Sequence, residues 1–139
     1  MKLYVDASVP LRALLDDGPA LPEWGRFEVG FTSALFPVEA RRTLDRLRVT
    51  QALGDEALAN AVFKLLETER SLSILDVTNV VLDRASRPMP TTLGTLDAIH
   101  LASALVLREE VPDLVFATHD RQQAIGARAL GFEVIGVDF

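Results

Sequence analysis

The stretch Thr95 to Leu105, Thr-Leu-Asp-Ala-Ile-His-Leu-Ala-Ser-Ala-Leu, limits the possible folds more than any other part of the chain. Leu96, Ala98, Ile99, Leu101, Ala102, Ala104 and Leu105 put apolar side chains almost all the way round a 3.6-residue period, the pattern of a helix buried in a core. Such a helix needs other elements packed around it. Only Asp97, His100 and Ser103 break the pattern, and their spacing of three stacks them as a slanting stripe on one side. Thr95 is the expected N-cap, so Asp97 falls in the first turn, beside free N–H groups and the positive end of the helix dipole. Capping alone would account for one such acid, but Asp97 has company.

Length sets the scale of what surrounds that helix. A chain of 139 residues is most simply one domain, residues 1–139, able to bury about two-thirds of the surface its unfolded form exposes. There is no cysteine, and His100 and His119 are the only histidines, which argues against a structural or catalytic zinc site. The opening Met1-Lys2-Leu3-Tyr4-Val5-Asp6 reaches an acid too soon for the apolar core of a signal peptide. No run approaches the roughly 20 apolar residues of a membrane span. A soluble, cytoplasmic protein with no membrane partner is expected. The formal charge of −6 disfavours nucleic acid as a partner, unless some of the acids are gathered around divalent cations that reverse the local field.

Taken in order, Lys2 to Asp6 is predicted as a strand and Ala7 to Asp17 as a helix, with Pro10 near its first turn, where a missing N–H costs little. Asp17 to Pro22 has turn chemistry, and Trp24 is expected to close over the core. Glu28 to Thr32 alternates as a strand, and Ser33 opens a helix to about Arg48 that carries Pro37 and Glu39 near its start. Arg41, Arg42, Arg46 and Arg48 follow on the same helix, with Arg41 expected to pair with Asp45. Asp55 to Glu69 reads as an amphipathic helix, Leu72 to Val77 as a strand, and Thr78 or Asn79 as the cap of a helix to Ser86. A Pro-rich loop leads to the buried helix. Leu114 to Thr118 is an apolar strand; Asp120 opens a last helix that Gly131 ends, and Phe132 to Val137 is the final strand.

Strands alternating with helices imply an α/β fold, a mostly parallel sheet with helices on both faces. Ligands of such sheets bind at the carboxyl ends of the strands. Asp6 and Asp120 each follow a strand, and Glu39 and Asp97 lie near helix N-termini, so Asp6, Glu39 and Asp120 belong to that edge and Asp97 reaches it from a loop. Carboxylates converging there would repel one another unless protonated or neutralised. With no lysine beside any of them, a hard cation such as Mg²⁺ or Mn²⁺ is the natural partner, and acids holding such an ion outline a nuclease site.

Four stretches in order resemble one known family. Tyr4-Val5-Asp6-Ala7-Ser8 is similar to its opening strand and Asp-x-Ser, and Thr32-Ser33-Ala34-Leu35 with Glu39 to its second acidic motif. Leu93 to Ala104 is similar to the third, and Phe116-Ala117-Thr118-His119-Asp120 with Ala129 to Val134 to the fourth motif and closing strand. These are marks of PIN domains, above all the VapC toxins of type II toxin–antitoxin pairs. The resemblance covers Lys2 to Val137 and departs from the commonest pattern at Ala7 and at Pro37.

The resemblance implies a Mg²⁺-dependent endoribonuclease, with Mn²⁺ as a substitute ion. Asp6 and Asp97 would be the principal ligands, and Glu39 and Asp120 direct or water-mediated ones. Ser8 and Thr118 would orient Asp6 and Asp120. It also implies a homodimer, and a cognate antitoxin whose tail enters the acidic cleft with an arginine or lysine in place of the metal's charge. Arg41, Arg42 and Arg46 are candidate contacts to RNA phosphates; no catalytic role is assigned to His100 or His119. Two alternatives stay open: a PIN ribonuclease working in RNA processing without an antitoxin, and a non-catalytic PIN-fold binding module. A phosphatase of the haloacid dehalogenase type is discounted, because Ser8 stands where its second acid is needed.

Overall fold

The computed structural model describes residues 1–139. Five strands, β1 (Lys2–Val5), β2 (Val29–Ser33), β3 (Ser73–Leu75), β4 (Val115–Ala117) and β5 (Glu133–Ile135), form one sheet in the order β3-β2-β1-β4-β5. Every pairing is parallel. Six helices connect them: α1 (Ser8–Leu15), α2 (Leu35–Val49), α3 (Asp55–Ser71), α4 (Asn79–Ala85), α5 (Thr95–Arg108) and α6 (Arg121–Ala129).

The alternation of side chains along β1 and β4 sorts the core into two layers. Leu3, Val5, Val115 and Ala117 pack on one face with Val9 of α1, and half-buried Trp24 closes over this layer as expected. Tyr4 and Phe116 point the other way, stacked with centroids 5.5 Å apart, against Leu101 and Ala104 of α5 and Ala127 of α6. Both faces are covered, which is why β4 and the buried part of β1, Leu3 to Val5, carry apolar and aromatic side chains. The predicted central helix is α5, and Ala98 to Ala104 is buried without a break. No helix is long and apolar enough to cross a membrane.

Several local expectations are corrected. Gly94, not Thr95, caps α5: its extended backbone lets its carbonyl accept from Ala98 N–H at 3.0 Å, leaving Thr95 as the first helical residue and Asp97 still in the first turn. The second helix starts at Leu35, because Ser33 finishes β2 and its hydroxyl accepts from Leu35 N–H. Pro37 therefore occupies the first turn, where no intrahelical donor is lost. Arg41 does not pair with Asp45. Its guanidinium binds Glu69 of α3 across the helix–helix contact and also reaches the Pro37 carbonyl, while Asp45 takes Arg48. Thr78 is the cap of α4, accepting from Val81 N–H.

Past β5 the chain presses back on β4 at Gly136. Its φ is +105°, and a Cβ there would lie 2.2 Å from the Thr118 carbonyl oxygen, so only glycine fits. The Gly136 carbonyl accepts from His119 Nδ1 at 2.8 Å, which fixes the turn between β4 and α6. Gly136→Ala is expected to destabilise the chain by about 2 kcal/mol or more; urea unfolding that matches the parent would contradict this packing.

Candidate active site

From β1 the chain winds outward through β2 and β3, then returns across the sheet to β4 and winds the other way to β5. The reversal falls between β1 and β4, and the carboxyl ends of these strands border the crevice where such sheets take ligands. Asp6 follows β1 directly. Its N–H continues the ladder to the Ala117 carbonyl at 3.2 Å, so its side chain keeps the alternation and shares the face of Tyr4, beneath α5.

Asp6 is 3 % exposed and held by both oxygens. Oδ1 accepts from the backbone N–H and the hydroxyl of Ser8, at 3.1 and 2.5 Å. Oδ2 accepts from Thr118 Oγ1 at 2.6 Å. Burial pushes the Asp6 carboxyl above its ordinary range, and these hydrogen bonds only partly offset it. Thr118 thus orients Asp6. Toward Asp120 it only accepts from the backbone N–H, at 3.0 Å, and does not touch the Asp120 carboxylate it was expected to orient. Ser8 also accepts from His119 N–H, which ties β1 to the turn after β4.

Glu39 reaches the site from α2 through a partner that residue types alone did not assign to it. His100, 1 % exposed on α5, joins Glu39 Oε1 through Nε2 at 2.6 Å and Tyr4 Oη through Nδ1 at 2.8 Å. Burial holds the Tyr4 phenol well above its usual range, so it stays a donor. Tyr4 then donates to Nδ1, and Nε2–H donates to the Glu39 carboxylate. The signal for this role was a histidine one turn beyond Asp97 inside an apolar helix, where a ring nitrogen must find a partner.

Asp97 and Asp120 stand at the N-termini of α5 and α6. Asp120 caps α6, its Oδ1 accepting from Gln123 N–H at 2.9 Å. Gln123 is fully buried, and its side-chain N–H donates to the Asp97 carbonyl at 2.9 Å, so one residue ties the first turns of both helices together. The Gln123 Oε1 has no partner. Nothing in the sequence signalled this link, because a glutamine on α6 looks like a surface residue. Asp97, by contrast, has a carboxylate free of hydrogen bonds. Burial pushes it up, and the charges of Asp120, Asp6 and Glu39 add to the effect. Three acids on three other elements therefore act on Asp97 at once.

No three His, Cys, Asp or Glu side chains draw together closely enough to enclose an ion, so the expected convergence within a few ångströms is not reached. The tethers give the reason: Ser8 and Thr118 hold Asp6, His100 holds Glu39, and Asp120 is occupied as a cap. The donor set nonetheless suits a hard cation. Both Asp97 oxygens, and one oxygen each of Glu39 and Asp120, accept nothing from the protein, and no lysine or arginine pairs with any of the four acids. Arg42 and Arg46 are exposed on α2 without carboxylate partners, Arg42 three residues beyond Glu39; Arg41 is taken up by Glu69.

A parallel sheet with acids at its switch point defines an open α/β class with a polar crevice, and comparison with known proteins narrows it. The PIN domain profile matches residues 3–128. Ribonuclease VapC47 of Mycobacterium tuberculosis is 31 % identical over 137 residues, covering 94 % of this chain and 93 % of the relative. Ribonuclease VapC46 of the same species is 36 % identical over 105 residues, 75 % of this chain and 71 % of the relative. The crystal structure of VapBC2 from Rickettsia felis, bound to a DNA fragment from its promoter, superposes with a TM-score of 0.61 at 11 % identity, over 97 % of this chain and 98 % of that one. The chain belongs to the PIN domain family, and within it to the VapC type.

The raised Asp97 carboxyl has a consequence for stability. A carboxyl favoured as the neutral acid in the folded state contributes stability that is complete below its ordinary value of 3.8 and is lost as pH rises through its higher folded value. Asp97→Asn removes that loss. In EDTA the variant should melt a few degrees above the parent at neutral pH, with the gap closing as pH falls toward 3.8. A variant that melts lower at neutral pH would contradict the repulsion described.

Proposed function

We propose that the chain is a divalent-metal-dependent endoribonuclease, the toxin of a VapBC-type toxin–antitoxin pair, and that Asp6, Glu39, Asp97 and Asp120 hold its ion. The observation that carries this is Asp97, a carboxylate without a hydrogen bond, pushed up first by burial and then by the charges of Asp120, Asp6 and Glu39, which His100 only partly opposes. The names of the relatives, Ribonuclease VapC47 and VapC46, support RNA as the substrate class. Mg²⁺, or Mn²⁺ in its place, would supply the positive charge that polarises a phosphodiester and makes an attacking water more acidic.

The protein's own groups do the positioning. Asp97, the least tethered acid, and Asp6, clamped by Ser8 and Thr118, would be the principal ligands. His100 keeps Glu39 turned to the cleft, and Gln123 fixes the distance between the first turns that carry Asp97 and Asp120. Arg42 and Arg46, one turn apart on the helix of Glu39, take flanking phosphates. Arg41 serves the α2–α3 contact instead. A cognate antitoxin and a homodimer belong to the same reading.

Purified protein should cleave RNA with Mg²⁺ and not with EDTA. Asp97→Asn should lower the rate by at least about a hundredfold, since losing even a group that only orients a metal ligand costs 10–100-fold, with an unchanged circular dichroism spectrum. Cleavage by the variant at the parent's rate would overturn the assignment.

A further inference from the structure

Tyr4 is a buried phenol that the proposed reaction does not use. It lies two residues before Asp6 on the same strand and the same face of the sheet. Its ring is stacked on Phe116 and is 0 % exposed, so neither a substrate nor an ion can touch it. Its hydroxyl nevertheless leads out of the core. It meets His100 Nδ1 at 2.8 Å, and His100 Nε2 meets Glu39 Oε1 at 2.6 Å. The line runs from β1 through α5 to a carboxylate of α2 whose side chain is 20 % exposed.

This line has no branches. Each ring nitrogen of His100 makes one hydrogen bond, and the Glu39 carboxylate accepts from no other group of the protein. Ser103, one turn beyond His100, gives its hydroxyl proton to the Ile99 carbonyl and does not share in holding the ring. Glu39 is thus held by a single hydrogen bond, and the ring that supplies it is held by one more. A phenol hydroxyl both donates and accepts, and a carboxylate accepts from Nε2–H, so the line holds whether the ring is neutral or charged.

We propose that Tyr4 is a positioning residue of the cation site: through His100 it fixes the Glu39 carboxylate, and so strengthens binding of a divalent ion that it never touches. β1 then places two of the four acids at once, Asp6 through its own backbone and Glu39 through the phenol two residues earlier. Groups that orient a metal ligand change affinity roughly 10–100-fold, and Tyr4, one group further removed than His100, belongs at the lower end. The proposal deepens the metal-dependent reading and rests on it, and its test needs no cleavage of RNA.

Tyr4→Phe deletes the hydroxyl and keeps the ring against Phe116. Mn²⁺ affinity is measured by electron paramagnetic resonance on the full-length parent, Tyr4→Phe, Glu39→Gln and the double variant. In EDTA, side-chain carboxyl ¹³C resonances are compared between the parent and Tyr4→Phe, whose amide spectrum reports its fold. Tyr4→Phe should bind Mn²⁺ about tenfold more weakly, and its Glu39 resonance should move while that of Asp120 stays. The double variant should bind as Glu39→Gln does, because Tyr4 acts only through Glu39. Parent affinity in Tyr4→Phe, an unmoved Glu39 resonance, or the same loss with Glu39→Gln already in place would overturn the proposal.

A second readout needs no Tyr4 variant. Tyr4 is the only tyrosine, so 3-fluorotyrosine labels it alone. Its ¹⁹F resonance should move on Glu39→Gln, and a resonance that stays put would also overturn the proposal. A parent that binds no Mn²⁺ would remove the metal reading, and the Glu39 and ¹⁹F resonances alone would then decide whether Tyr4 positions the carboxylate.

Discussion

The parallel pairing of β1 with β4 is the contact on which the rest of this molecule depends. It brings together two strands more than a hundred residues apart, with Tyr4 opposite Phe116 and Val5 opposite Ala117 in register. It places the sheet's reversal of winding between them and carries its ladder one residue further to Asp6. A slip of one residue would turn Asp6 to the α1 face and Tyr4 away from His100. Register in the sheet is therefore also the geometry of the acidic edge.

Around that edge, hydroxyl, imidazole and amide groups do the holding. Ser8 and Thr118 fix Asp6, the pair of Tyr4 and His100 fixes Glu39, and Gln123 couples the helices of Asp97 and Asp120. Each tether uses a hydroxyl, an imidazole or an amide, and none uses a lysine or arginine. The edge is thus held in place with no lysine or arginine paired to its acids, a condition that favours uptake of a cation from solution. Arg42 and Arg46 stand apart from it, exposed on α2.

Much of this was legible in the chain itself. The near-continuous apolar surface of Leu96 to Leu105, broken only at Asp97, His100 and Ser103, required a covered helix, and the alternation of strands and helices required a parallel sheet; both follow from burial, which leaves a periodic trace. The placement of Asp6, Glu39 and Asp120 at one edge followed from topology, with no knowledge of contacts. What stayed hidden depended on side-chain reach. The Arg41 pair with Glu69 spans two helices, and a rule for neighbours within one helix assigns it wrongly to Asp45. Gln123 and His100 acquire their roles only once α5, α6 and α2 are packed together. The resemblance implied that Thr118 orients Asp120, two residues on, yet its hydroxyl donates to Asp6, 112 positions away.

The central claim is that the acids at this edge form a divalent-cation site centred on Asp97. Thermal melting with and without millimolar Mn²⁺, on the parent and on Asp97→Asn, tests it most directly, because an ion that binds only the folded chain must raise the melting temperature by mass action. The account predicts a rise in the parent that disappears in the variant. No rise in the parent, or an equal rise in both proteins, would contradict it.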